Sequence, residues 1–86
     1  MNVIELPEEQ ALVLQQVGEY GEEEFDTLAE TLRFDRRRLT QIVRSLHHKG
    51  LVYLSEGSYR DPWIHLTSKG RKLMTYMWPD IGTAMA

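Results

Sequence analysis

The chain has 86 residues, of which 42% are hydrophobic and 27% are charged, and it contains no cysteine. This length suits one domain over residues 1–86, and the composition is typical of an ordinary globular protein. The lack of cysteine excludes a disulfide framework and a thiolate zinc site. No apolar run approaches the roughly 20 residues of a membrane span, and the N-terminus lacks the basic flank of a signal peptide. We therefore expect a cytoplasmic protein that does not enter a membrane.

The formal net charge of −3 conceals an uneven distribution along the chain. Residues 1–32 contain nine acidic residues and no lysine or arginine, which gives a charge of −9. Residues 33–86 contain all ten basic residues and only four acidic ones, which gives +6. Such polarity in a small domain predicts one acidic and one basic face, and an anionic partner for the basic face.

Two helices are predicted in the acidic first third. Pro7, Glu8 and Glu9 suit the start of a helix, because proline fits the first turn and acidic side chains favour the positive end of the helix dipole. We expect this helix to end near Glu19, before Gly21. Its predicted apolar positions are Ala11, Leu12, Leu14 and Val17. A second helix, from about residue 24 to 32, is indicated by apolar residues at the spacing i, i+3, i+4, i+7. These residues are Phe25, Leu28, Ala29 and Leu32.

The third predicted helix runs from Arg36 to about Lys49. Asp35 can cap its N-terminus, because the carboxylate accepts the free amide hydrogens of the first turn, and Gly50 suits a left-handed C-terminal residue. Its inward side is aliphatic and consists of Leu39, Ile42, Val43 and Leu46. At about 100° per residue the opposite side is polar. Arg37, Gln41, Arg44 and His48 form its centre, with Arg36 and Thr40 along one edge and Arg38 and Ser45 along the other.

After the third helix the pattern changes to short runs of β-branched and aromatic residues. Leu51–Leu54 and Trp63–Leu66 are separated by turn-forming residues, which predicts a β-hairpin with a loop longer than the minimum. Thr67 is expected to cap a fourth helix, from Ser68 to about Trp78. The predicted fold class is α+β, mostly α: a winged helix-turn-helix with a three-helix core, a two-stranded β-hairpin wing and a C-terminal helix.

The polar side of the third helix is suited to double-stranded DNA. Arginine binds guanine through two hydrogen bonds, glutamine pairs with adenine, and hydroxyl groups bond to either base. Early residues of a recognition helix usually reach the bases, so we assign Arg37, Arg38 and Gln41 to base edges. We assign Arg36, Thr40 and Arg44 to contacts with phosphates or flanking bases. A solvated arginine-rich face is the alternative. The DNA hypothesis requires these arginines to be free of ion pairs with the acidic first third.

The loop of the predicted hairpin supplies a modest basic tip. A hairpin beside a recognition helix can lie along the DNA backbone or place its tip in the minor groove, so we expect Ser58 and Arg60 to contact DNA. The alternative is an ordinary hairpin with one isolated arginine, and the sequence favours neither interpretation over the other. The acidic residues Glu56 and Asp61 argue against a strongly positive wing.

Four short motifs occur together between residues 24 and 74: Leu28-Ala29-Glu30, Lys49–Val52, Arg60-Asp61 and Leu66–Leu73. In combination they resemble the winged-helix core of bacterial and archaeal MarR-type (multiple-antibiotic-resistance) regulators. The resemblance implies a DNA-binding transcriptional regulator whose third helix enters the major groove. It places the recognition positions on Arg36, Arg37, Arg38, Thr40, Gln41 and Arg44, and the wing contact on Arg60. MarR-type proteins usually continue beyond the wing in long helices that form the dimer and line the effector pocket, and we expect a minimal form without them.

Apolar side chains are concentrated near the C-terminus. Methionine and aromatic residues more often belong to a core, but a surplus at a terminus is typical of a partner surface. We predict that the fourth helix and the tail pack against the first helix of a second copy. The residues assigned to this interface are Leu73, Met77, Trp78 and Ile81. Two wings related by a two-fold axis would then read a near-palindromic DNA site.

Other classes of function are not indicated. Adjacent histidines on a helix point about 100° apart, so His47 and His48 cannot chelate from one face, and with His65 they give no metal site. The serines lack the sequence context of a nucleophile and no glycine-rich phosphate loop occurs, so we expect neither an enzyme nor a cofactor. The alternative to a DNA-binding regulator is a winged-helix module that contacts proteins through its acidic face or apolar C-terminal tail. The sequence leaves any small-molecule effector open.

Overall fold

The computed structural model describes residues 6–56 and 62–79. In chain order these form α1 (Glu8–Tyr20), β1 (Glu22–Glu24), α2 (Phe25–Leu32), α3 (Arg36–His48), β2 (Val52–Ser55), β3 (Trp63–Leu66) and α4 (Ser68–Met77). The order confirms the predicted winged helix-turn-helix, with element bounds within about one residue of those expected from the sequence. Among the described helices, none has the length and apolar composition needed to cross a membrane.

The sheet has one strand more than the sequence predicted. β1 pairs antiparallel with β3, which also pairs with β2, so the strand order is β1-β3-β2. In this register Glu22 lies opposite His65 and Glu24 lies opposite Trp63. A run of three glutamates has low strand propensity, which explains why the sequence pattern did not reveal it. β1 joins α1 to α2 and places the start of α2 beside the base of the hairpin, where the Phe25 N–H donates to the Pro62 carbonyl at 3.0 Å.

The core lies between the helices and the inner face of the sheet. All four aliphatic positions predicted for the inward side of α3 are buried, and Leu39 and Leu46 are completely so. The prediction for α1 was partly wrong, because Val13 is buried and Leu12 is 40% exposed. The buried residues of α1 are Val13, Leu14, Val17 and Gly18. At about 100° per residue these four share one side, and Leu12 lies opposite to it.

Two close approaches fix how α4 packs. At Gly18 of α1, an added Cβ would overlap the Sδ atom of Met74, and at Gly70 of α4 it would overlap the carbonyl group of Leu51. Gly70 is therefore required by space, since the backbone of Leu51 occupies the position that a Cβ would take, whereas at Gly18 the Met74 side chain would have to move. The segment after α3 is also held by Thr67, whose hydroxyl donates to the Gly50 carbonyl at 2.6 Å.

The turn between α2 and α3 follows from local chemistry. Arg33 ends α2 in the left-handed conformation, with φ of 59°. Asp35 caps α3 as predicted, since its carboxylate accepts a hydrogen bond from the Arg38 N–H at 2.7 Å. Gly50, at φ 75°, follows the end of α3 in the expected left-handed conformation. The cap at Thr67 is also confirmed, with the Gly70 N–H 3.0 Å from its hydroxyl oxygen.

Candidate nucleic-acid interface

α3 carries the predicted DNA-binding side chains on its solvent side. The buried aliphatic row anchors the helix, and the cap at Asp35 fixes where its first turn begins. The six predicted residues, all exposed, are Arg36, Arg37, Arg38, Thr40, Gln41 and Arg44. The structure therefore brings these six residues together on one exposed surface, as the sequence pattern predicted.

The middle of this surface is a row that we name the central ridge. It consists of Arg37, Gln41, Arg44 and His48, which lie within about 60° of one another around the helix axis. Within residues 6–56 and 62–79, their side chains make no hydrogen bond or ion pair with another described side chain. A ligand can therefore meet two guanidinium groups and an amide here without displacing a partner from the described part of the chain.

One edge of α3 faces α1 and is bonded to it. The Arg38 guanidinium contacts both carboxylate oxygens of Glu9: Nε donates to Oε2 at 2.7 Å, and Nη2 donates to Oε1. Hydrogen bonding from Arg38 lowers the pKa of Glu9, and the same bond raises the pKa of Arg38. Farther along this edge, Lys49 Nζ donates to Gln10 Oε1 at 2.6 Å. We name this the α1 flank.

The other edge faces α2 and is also occupied. The Arg36 guanidinium forms an ion pair with Asp26 in the first turn of α2, and it lies 5.1 Å from the centroid of the Phe25 ring. The ring face adds a cation–π attraction to the ion pair. Thr40 donates its hydroxyl proton to the Arg36 carbonyl at 2.7 Å, so its oxygen keeps only acceptor capacity. We name this the α2 flank.

These flanks correct the expectation that the arginines of α3 are free of the acidic first third. It is wrong for Arg36 and Arg38, and it holds for Arg37 and Arg44 among the described residues. The physical reason is that α1 and α2 both pack against α3, which brings Glu9 and Asp26 to its first turn. Glu9 is 29 residues from Arg38 in sequence, so no local pattern reveals the contact.

Two depressions border the central ridge. The first lies between α3 and the base of the hairpin, where Thr40 and Arg44 face the apolar side chains of Val43, Leu54 and Pro62. The second lies toward the α1 flank and is lined by Gln41, Arg44, Ser45, His48 and Lys49. Arg44 borders both, so its guanidinium is accessible from either side of the ridge.

The predicted wing contacts Ser58 and Arg60 lie outside the described residues. The base of the hairpin is described, and its strands pair from Val52 opposite Leu66 to Ser55 opposite Trp63. This register places β2 at the edge of the sheet, with Leu54 47% exposed beside the first depression. The hairpin strands therefore lie next to α3, as a winged helix requires.

The outer face of the sheet holds a chain of polar contacts that the sequence analysis missed. Ser55 Oγ lies 2.6 Å from His65 Nε2, and His65 Nδ1 lies 3.2 Å from Glu22 Oε2. The Tyr53 ring stacks on the His65 ring with centroids 4.8 Å apart. The chain connects all three strands at the base of the hairpin. Sequence reasoning could not find it, because Glu22 belongs to the strand that was not predicted.

The residues assigned to a dimer interface are only partly available for one. Leu73 and Trp78 are half-buried and pack against the core of the same chain. Met77 is half-buried, its neighbour Tyr76 is 60% exposed, and Ile81 lies outside the described residues. The predicted dimer surface therefore overlaps with intramolecular packing.

Comparison with known proteins identifies the fold. No family model and no curated protein matches this sequence. Solved structures do match, among them a MarR-family transcriptional regulator from Rhodococcus sp. RHA1, with 25% identity and a TM-score of 0.80. The match covers 93% of this chain and 58% of the other. This chain has the winged-helix fold of MarR-family regulators.

Two further structures share the MarR fold at lower identity. MepR, a transcription regulator of the multidrug efflux pump MepA of Staphylococcus aureus, has 20% identity and a TM-score of 0.79 over 94% of this chain and 62% of its own. FabT of Streptococcus pneumoniae, solved in complex with DNA, has 18% identity and a TM-score of 0.79 over 94% and 57%. The resemblance inferred from the motifs is thus confirmed at the level of the fold. The chain spans about three fifths of the length of these structures.

Proposed function

We propose that this protein is a transcriptional regulator that binds double-stranded DNA by placing the central ridge of α3 in the major groove. The observation that carries the proposal is the exposed row of Arg37, Gln41 and Arg44, whose side chains have no partner among the described residues, on a helix whose opposite side is buried. Arginine and glutamine are the side chains that hydrogen-bond most specifically to guanine and adenine edges. The MarR fold, which includes a protein solved with DNA, supports the same interpretation.

Each side chain has a proposed role. We assign Arg37 and Gln41, in the N-terminal half of α3, to base edges, and Arg44 to a phosphate or a flanking base. Thr40 can accept a hydrogen bond on its oxygen. Arg38, which the sequence assigned to a base edge, and Arg36, assigned to a phosphate, reach DNA only after leaving their carboxylate partners.

The proposed complex contains two copies of the chain. Leu73, Met77 and Trp78 of α4, with Ile81 beyond it, would pack against α1 of the partner copy, and Ser58 and Arg60 of each wing would contact the DNA backbone. Tyr76 on α4 and Tyr20 on α1 are 60% and 64% exposed, so their rings are available to such a contact. Sedimentation at high micromolar concentration tests the dimer, and a strict monomer would contradict it.

A protein-binding module is the second candidate. The exposed apolar side chains of Leu12 and Tyr20, on the same helix as the exposed acid Glu19, favour it, because they give α1 both apolar and acidic surface. A basic partner protein would be bound by this surface, whereas DNA would be repelled by it. The two candidates therefore differ in which part of the molecule a variant must change to abolish binding.

Selection of bound fragments from random duplex DNA at physiological salt tests the main proposal. We expect enriched half-sites whose spacing reports the symmetry of the complex, and an affinity that falls steeply as salt rises, because bound phosphates release counterions. A triple variant, Arg37→Ala/Arg38→Ala/Arg44→Ala, should lose binding. Unchanged binding in that variant, or no enrichment by the parent protein, would favour the protein-binding module instead.

A further inference from the structure

We propose that Glu9 and Asp26 act as intramolecular competitors of DNA phosphates for Arg38 and Arg36, and so lower the affinity of this protein for every duplex sequence. The inference rests on the DNA-binding function proposed above. It assigns a role to two acidic residues that lie outside the recognition helix.

The geometry places one carboxylate at each edge of the reading surface. Arg36 and Arg38 are the first and third residues of α3, and Arg37 of the central ridge lies between them. Asp26 reaches Arg36 from the first turn of α2, and Glu9 reaches Arg38 from the first turn of α1. The two ion pairs therefore border the part of α3 that would enter the groove first.

Both ion pairs are accessible to a second anion. The side chains of Arg36 and Asp26 are 60% and 45% exposed, and those of Arg38 and Glu9 are 53% and 36% exposed. A guanidinium group binds a carboxylate and a phosphate through the same two-pronged geometry, so one can replace the other without moving the backbone. DNA can therefore take over either arginine by exchange.

The exchange has an energetic consequence. Before Arg38 can bind a phosphate it must leave Glu9, and the released carboxylate then repels the nearby DNA backbone. Exposed ion pairs are weak, so each competitor should reduce the affinity only about two- to fivefold. Because the competition involves phosphate contacts, it should affect specific and random duplexes alike.

Competition also predicts an unusual salt dependence. Added salt weakens the contacts to DNA, but it also screens the internal ion pair that opposes them. The parent protein should therefore show a shallower decline of affinity with salt than a variant in which Arg38 is free from the start. The difference in the log–log slope should approach about 0.9, the value for one phosphate contact.

The experiment compares Glu9→Gln with Glu8→Gln. Glu8 precedes Glu9 in the same turn of α1, is exposed, and makes no ion pair with a described residue, so the two variants remove the same charge at nearly the same place. Fluorescence anisotropy with a short random-sequence duplex would measure binding at several salt concentrations. We expect Glu9→Gln to bind about two- to fivefold more tightly than Glu8→Gln and to show the steeper salt slope.

A second background isolates the ion pair. In Arg38→Gln, which lacks the guanidinium, Glu9→Gln and Glu8→Gln should have equal effects on affinity. The α2 flank allows the same comparison, with Asp26→Asn against Glu30→Gln on the same helix. Circular dichroism would verify that each variant is folded, so that affinity is compared between native proteins.

Equal affinities and equal salt slopes for Glu9→Gln and Glu8→Gln would overturn the inference, because only long-range charge would then be acting. That result is distinct from failure of the proposed function. If the parent protein binds duplex DNA and Arg37→Ala/Arg44→Ala does not, the function stands whatever the Glu9 comparison shows. If neither the parent protein nor any of the variants binds DNA, both proposals fall.

Discussion

The central ridge and the two edges of α3 all carry arginine, but these arginines differ in their bonding partners. Arg37 and Arg44 of the central ridge have no described side-chain partner, whereas Arg36 and Arg38 are each bonded to a carboxylate from another helix. Arg36, Arg37 and Arg38 are consecutive, so the difference arises from direction around the helix axis and not from position along it. A run of arginines is thus not one basic patch, because the neighbouring helices determine which guanidinium groups are available.

The largest expected effect comes from a change in the buried row of α3, which anchors both the central ridge and the two edges of the helix. Leu39 is completely buried beneath the exposed surface of α3. Leu39→Ala should lower the free energy of unfolding by about 2–5 kcal/mol, because it removes apolar contacts and leaves a cavity. Urea denaturation followed by circular dichroism would measure this. The adjacent exposed change Thr40→Ala is the control, and equal losses in the two variants would show that α3 is not anchored as described.

The next largest effect should fall on the central ridge. Arg37→Ala should weaken binding to the selected DNA site by about 1–3 kcal/mol and relax its sequence preference, because a base contact is lost. Arg71→Ala, an exposed change on α4, is the control for loss of one positive charge. Binding isotherms on the selected site and on single-base variants would separate the two. A uniform loss over all sequences would instead assign Arg37 to a phosphate.

A smaller effect should follow from the cap that starts α3. Asp35→Ala should destabilise the protein by about 0.5–2 kcal/mol, because the Arg38 N–H loses its acceptor. The DNA affinity of the folded fraction should not fall, since a negative charge next to the arginines is removed at the same time. Thermal unfolding would measure the stability and fluorescence anisotropy would measure the DNA affinity, both on the same preparation. Asp35→Asn, which keeps a capping oxygen, should preserve most of the stability.

The smallest expected effect is on stability at acidic pH, where Glu9 and Glu23 should act in opposite directions. Hydrogen bonding to Arg38 lowers the pKa of Glu9 below 4.5, so this group stabilises the fold above that pH and its contribution is lost as the pH falls through the lowered value. Burial and the neighbouring Glu24 raise the pKa of Glu23, so its charge opposes folding near neutral pH and that cost disappears on acidification.

Thermal unfolding across the acidic range would test these signs. Glu9→Gln should lose less stability than the parent protein between neutral pH and about pH 3, and Glu23→Gln should gain stability near neutral pH. Glu8→Gln is the reference for removing a charge from the same part of the chain. Parallel pH profiles for the parent protein and Glu9→Gln would contradict the contribution assigned to the Arg38 contact.

The sequence predicted what local spacing and capping chemistry determine. The bounds of α3, its buried row and its caps at Asp35 and Gly50 all follow from residues within one or two turns of each other. β1 was missed because it forms only where the edge of β3 is available, against the propensity of Glu22–Glu24. The buried side of α1 was misjudged at Leu12, because which side faces inward depends on how α1 crosses α3 and α4.

The position of the candidate interface on α3 was predictable from the sequence, but the ion pairs at its edges were not. Amphipathic spacing placed all six residues on the exposed side of α3, which the structure shows. The partners of Arg36 and Arg38 depend on the angles at which α1 and α2 pack, and these angles arise from the whole core. The division of charge between the first third and the rest predicted separate acidic and basic faces. It could not show that acidic and basic groups meet at the first turn of α3.

The contact between Gly18 and Met74 joins the helix that carries Glu9 to the helix that carries the proposed dimer surface. α1 carries Glu9 near its beginning, and α4 carries Leu73 and Met77 of the proposed dimer surface. Because the thioether of Met74 fills the space above Gly18, a side chain introduced there must displace the Met74 side chain from its place in the core. Gly18→Ala would therefore disturb the packing between α1 and α4, the helices that carry Glu9 and the proposed dimer surface.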